Sequence, residues 1–183
     1  MTIFSQKQEK IKAISGIVLR WRWKTSGGFD ISVPRHCYDH ELKEAFLTCL
    51  DIGERLFPSY PKGIELFSED REMIENRKIC LSGGSLALAF LLGMLTFMHG
   101  KRWPNGVVAW GVILPDRKNS FRVHSVDWMD RKLDLAKCIG AGIVIHPATE
   151  KKIETESIRE ITVAGPIDEA IFQLESILRQ KGI

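Results

Sequence analysis

Gly83-Gly84-Ser85 stands directly before an apolar stretch, Leu86 to Met98, and that placement gives the serine a chemical opportunity. Glycines let the backbone turn tightly and come close to a ligand. The first N–H groups of a helix lack partners and carry positive dipole character. A serine in such a turn can be a nucleophile, with Gly83, Gly84 and Leu86 supplying the turn and its oxyanion donors. The same residues also fit a plainer role, in which Ser82 or Ser85 caps a buried helix. A phosphate loop fits less well, because no Gly-Lys-Ser/Thr follows.

A serine needs a base. His36, His40, His99, His124 and His146 belong to no familiar serine-hydrolase motif, and His146 closes an apolar strand, where a structural role is expected. His36 and His40 could bracket a metal, but no third ligand lies nearby, so neither a metal nor another cofactor is expected. A lysine is the other choice, since burial moves its amine toward neutrality. Residue types alone do not choose among the lysines.

The elements that must position such a pair can be read from periodicity and punctuation. Residues 1–10 read as a loose lead-in. The β-branched run from Lys12 to Leu19, continued by Trp21 and Trp23, and the alternating Phe29, Ile31 and Val33 flank Ser26-Gly27-Gly28 and predict a hairpin. Asp39 caps a helix starting near His40, with Leu42, Ala45, Phe46, Cys49, Leu50, Gly53, Leu56 and Phe57 at helical spacing until Pro58. Gly63 to Phe67 is a short strand, and residues 68–78 are a charged surface segment. Gly106 to Leu114 lacks polar alternation and predicts a strand buried on both faces. Residues 115–120 form a turn before Phe121 and Val123 resume extended structure. Asp127 can cap a helix running to Ile139, ended near Gly140 and Gly142. Strands at Ile143–Ile145 and Glu160–Val163 follow, and Pro166 opens a final helix through Leu178. Interleaved strands and helices predict one mixed α/β domain over residues 11–183.

Composition narrows the function classes. With 183 residues, 44% hydrophobic and 27% charged, the chain can build a sizeable core and is neither disordered nor a disulfide-knotted mini-protein. A formal charge of +3 with no long basic block gives no strong nucleic-acid signal. Arg20, Arg22 and Lys24 are the nearest to an anion-binding stripe, although ordinary solvated strand residues explain them as well. Cys37, Cys49, Cys80 and Cys138 form no CxxC pair, and the N-terminus is too polar for a secretory leader. The apolar run to Met98 falls short of the roughly 20 residues that span a bilayer. A cytoplasmic protein with reduced thiols, away from membranes, is therefore expected.

The stretch from Gly83 to Pro147 resembles the proteolytic domain of the Lon protease family, a Ser–Lys peptidase. Family members carry a G-P-S-A-G turn followed by an apolar helix; here stand Gly83-Gly84-Ser85-Leu86-Ala87 and a helix ending at His99-Gly100. The family's V-A-M-T-G-E strand is matched by Val107-Val108-Ala109-Trp110-Gly111-Val112. Its K-x-x-A-A-x-x-A-G-x-x-x-V-x-x-P run is similar to the segment from Lys132 through Ala136, Gly140 and Val144 to Pro147. In that register Ser85 falls on the nucleophile and Lys132 on the general base, and the order of the flanking elements also follows the family. The resemblance implies a Lon-like α/β domain that hydrolyses unfolded or short peptides.

Departures from the pattern concentrate around the dyad. Gly84 stands for Pro, Leu86-Ala87 for Ala-Gly, Ser82 for an acidic residue, and Trp110 and Val112 for Thr and Glu. A Val126-Asp127-Trp128 segment occupies the place of a glycine pair. The implied alternative is a catalytically degenerate module that serves assembly or partner binding. No Walker A motif is present, so unfolding work would fall to a separate ATPase subunit. The resemblance also implies a homo-oligomer, a ring included, and Trp103 and Trp128-Met129 are the aromatic positions that suit such an interface.

Overall fold

The computed structural model describes residues 2–4, 16–24, 29–32, 38–56, 63–68, 83–116, 120–147, 158–163 and 165–182. Over them the chain is a mixed α/β fold with four helices, grouped into two compact units, Met1–Gly83 and Gly84–Ile183.

The first unit is a sheet and a helix. Strands β1 (Thr2–Phe4), β2 (Gly16–Lys24), β3 (Phe29–Ser32) and β4 (Gly63–Ser68) lie in the order β1-β2-β4-β3. The lead-in is thus partly a strand: Thr2, Ile3 and Phe4 are good strand formers and pair antiparallel with Val18, Ile17 and Gly16.

The expected β2–β3 hairpin does not form. β4 lies between the two, antiparallel to β2 and parallel to β3. Glu65 shows why the middle suits β4. It is buried, it faces Arg22 across one edge, and it accepts hydrogen bonds from Arg22 on β2 and Ser32 on β3. A buried carboxylate needs such partners, and only a central strand has neighbours on both sides to provide them. The Arg22 guanidinium also lies over the Phe67 ring, 4.6 Å from its centroid. Paired with Glu65 in this way, Arg22 behaves as a strand residue rather than part of an anion-binding stripe.

Helix α1 (His40–Leu56) buries Leu42, Ala45, Phe46, Cys49, Leu50, Ile52 and Gly53 along one side. The expected cap is present, with the Leu42 N–H donating to Asp39 Oδ1 at 2.8 Å. Leu56, expected inside, is exposed. Phe57 and the charged segment from residue 69 to 78 lie outside the described residues.

The second unit holds a parallel sheet in the order β5-β8-β9, formed by Val107–Ala109, Ile143–Pro147 and Arg159–Val163. An antiparallel pair, β6 (Val112–Pro115) and β7 (Phe121–His124), flanks the turn read at residues 115–120. The continuous strand expected over 106–114 is broken at Trp110-Gly111, where the backbone leaves the parallel ladder. The Trp110 N–H still reaches the Ile145 carbonyl at 3.1 Å, but the groups of Gly111 turn to the start of the apolar helix.

That helix, α2 (Ala87–Met98), is buried nearly all round and packs with β5, β6 and α4 (Ile167–Gln180). Apolar residues on every face require such a place. Gly100 ends α2 in the left-handed region, φ 68°, donating to Phe97, while Lys101 donates to Thr96. Helix α3 (Met129–Cys138) ends the same way at Gly140. This paired closure satisfies carbonyls the last turn would leave open. Asp127 does not cap α3 as expected. Trp128 takes the capping position in a left-handed conformation, φ 66°, with no side-chain cap.

Candidate functional site

Ser85 lies in a 3₁₀ turn, Gly84–Leu86, that runs straight into α2. The turn is held by main-chain bonds. Gly111 donates its N–H to the Ser85 carbonyl at 2.8 Å and accepts the Leu88 N–H at 3.1 Å. Only a residue without a side chain can come this close. A Cβ on Gly111 would lie 2.7 Å from Val123 Cγ1 and 3.3 Å from Leu88 Cδ2. Sequence reasoning treated Gly111 as one residue of a strand, and the lone glycine inside an apolar run was the signal for a close backbone approach.

Trp110 carries the connection from this turn to Lys132. It is buried in one cluster with Leu133 and Ala136 of α3, and Met129 packs against the same cluster. Its indole N–H points at Met129 Sδ, 3.0 Å away, in the first turn of α3. Trp110 is therefore the residue against which α3, the helix of Lys132, is seated.

Lys132 is half-buried, and desolvation lowers its pKa from the ordinary 10.5, with the Asp127 carboxylate opposing the shift. Its ammonium donates to the Asp127 carbonyl at 2.8 Å. No hydrogen bond joins Lys132 to the Ser85 hydroxyl among the described residues.

The oxyanion donors read from the turn are used unequally. Gly83, φ 92°, gives its N–H to the Asp39 carboxylate, 3.1 Å from Oδ2. Gly84 has a Val112 methyl 3.8 Å from where its Cβ would be, which is ordinary contact.

The histidines are placed for other tasks. His146 is 1% exposed, with Nδ1 2.7 Å from the Pro147 carbonyl and Nε2 3.1 Å from Glu160 Oε2. Both ring nitrogens face oxygen acceptors, and the ring stacks on Trp110 at 6.1 Å. It is engaged on every side, in keeping with a structural role. His40 lies 3.8 Å from Glu44 on the surface of α1, His124 is exposed, and His36 falls outside the described residues. Cys49 is buried and Cys138 exposed, neither in a disulfide, while Cys37 and Cys80 fall outside the described residues.

Of the two tryptophans read as interface candidates, Trp103 is half-buried and donates its indole N–H to the Val107 carbonyl at 2.8 Å, while Trp128 is 60% exposed. Among the described residues no helix is long and apolar enough to cross a membrane. No protein-family model and no curated protein sequence matches this chain.

Proposed function

We propose that the chain is a Lon-like serine peptidase domain in which Ser85 attacks peptide bonds and Lys132 is its base. The observation that carries this reading is a pairing of two features. A serine sits in a main-chain-braced turn at the start of a buried helix, and the amine of Lys132 is shifted toward neutrality on a helix seated against the neighbour of the bracing glycine.

In the proposed reaction the neutral Lys132 amine takes the Ser85 hydroxyl proton as Oγ bonds to the peptide carbonyl carbon. With the Gly83 N–H taken by Asp39, the N–H groups of Gly84 and Leu86 hold the resulting oxyanion. Collapse of the tetrahedral intermediate breaks the C–N bond, and the leaving amine takes the proton back from Lys132. Water then releases the acyl group by the same proton route. Substrates are unfolded or short peptides, and a separate ATPase subunit would be needed for folded ones.

A serine-directed phosphonate tests the reading. Ser85 should be labelled, faster as pH rises, and neither Ser85→Ala nor Lys132→Ala should react. Absence of any adduct at every pH, with the fold intact by circular dichroism, would overturn it.

The exposed Trp128 favours a second reading, a non-catalytic module that associates with copies of itself or a partner through this indole. Light scattering over a dilution series separates the two. Association lost in Trp128→Ala supports the module, and a monomer at every concentration in both proteins removes it.

A further inference from the structure

Trp128 is the only non-glycine residue with a positive φ among the described residues. A bulky side chain adopts that conformation at a cost, and such outliers persist where the surroundings require them. Yet the indole is largely exposed and is covered on one side by the Arg131 guanidinium, 4.2 Å from the ring centroid. Packing of the ring does not account for the backbone.

What the left-handed turn does account for is the position of Lys132. Rotation about the N–Cα bond of Trp128 sets how the preceding peptide faces the helix, and here the Asp127 carbonyl meets Lys132 Nζ at 2.8 Å. The next carbonyl, that of Trp128, accepts the Lys132 N–H at 3.1 Å. Two successive carbonyls thus hold both the main chain and the amine of one residue. We infer that Trp128 is a positioning residue whose left-handed backbone keeps the Lys132 amine on the Asp127 carbonyl, so that turning this one peptide releases the amine. The consequence for catalysis rests on the proposed peptidase reading; the placement of the amine does not.

The charge that bears on Lys132 is the Asp127 carboxylate, while Arg131 faces the indole and Lys137, a turn further on, lies 3.6 Å from Asp134. A carbonyl holds an ammonium more firmly than a neutral amine, so tighter positioning should also keep the amine protonated to higher pH.

Two variants isolate the backbone. Trp128→Gly and Trp128→Ala both lose the indole, but only glycine takes the left-handed region without strain. Acetylation of Lys132 by acetic anhydride, followed across pH by peptide mass spectrometry, should be about fivefold slower in the glycine variant than in the alanine variant, with its pH midpoint higher. Lys137 should react alike in both. Equal Lys132 rates, or a parallel change at Lys137, would overturn the inference. The expected amine result without phosphonate labelling of Ser85 would support it while removing the peptidase reading.

Discussion

Gly111 and Ser85 are joined main chain to main chain, the glycine N–H donating to the serine carbonyl at 2.8 Å. The break between β5 and β6 is what makes this bond possible. Had the strand run on, the N–H of Gly111 would have been available to a ladder neighbour, and the serine turn would have lost its brace.

Three glycines near the turn should answer differently to alanine. Gly111→Ala forces Val123 and Leu88 apart and should cost about 1–3 kcal/mol. Gly83→Ala meets open space but keeps φ 92°, for about 1–2 kcal/mol. Gly84→Ala makes only ordinary contact with Val112 and should be neutral or slightly stabilising. Urea unfolding of the three variants gives the order directly.

Lys132 should leave a mark on stability as well as on labelling. Burial depresses its folded-state pKa below 10.5. Between that depressed value and the ordinary lysine value, the unfolded chain binds the extra proton, so stability rises as pH rises through this window. Lys132→Met should be more stable than the native protein at neutral pH and should lose that rise. Thermal unfolding at a series of pH values would show it, and an unchanged slope would place the amine in water.

His146→Ala removes a buried imidazole that pairs with the half-buried Glu160 carboxylate, which should cost about 1–3 kcal/mol. Changing Glu160→Gln as well should recover part of the loss. A double-mutant cycle in chemical denaturation measures the coupling, and simple additivity would show that the pair does not act as a unit.

Asp39 serves two donors, Leu42 and Gly83. Asp39→Ala should therefore cost about 1–2 kcal/mol, at the upper end for a helix cap. Asp39→Asn, which keeps one oxygen, should retain much of it. Far-UV circular dichroism during thermal unfolding compares them.

What was legible in the sequence follows from what is local. The cap at Asp39, the α1 face from Leu42 to Gly53, the buried α2 and the glycine stops at Gly100 and Gly140 depend on residues a few positions apart, and each is where its pattern put it, whereas Leu56 at the end of α1 is exposed. The hairpin was misread because the strand that intervenes, β4, lies more than thirty residues downstream of β3. The break at Gly111 was hidden because an apolar run does not record which backbone approaches it. Asp127 looked like a cap, and nothing in residue type foretells a left-handed tryptophan. In the same way Ser85 at a helix start was readable, whereas Trp110 as the seat of α3 was not.

The insertion of β4 between β2 and β3 fixes an order of events during synthesis. When residues up to Leu56 have left the ribosome, β2 and β3 are present and α1 can coil, yet the strand that both must pair with has not been made. Two unpaired edges then wait through the emergence of a whole helix. Closing the sheet requires Gly63–Ser68 to enter the gap, where Glu65 finds Arg22 and Ser32 together. The nascent chain is consequently most open to wrong pairing in this interval, and a stalled chain ending near Leu56 would present a vacant slot for any extended segment that fits it.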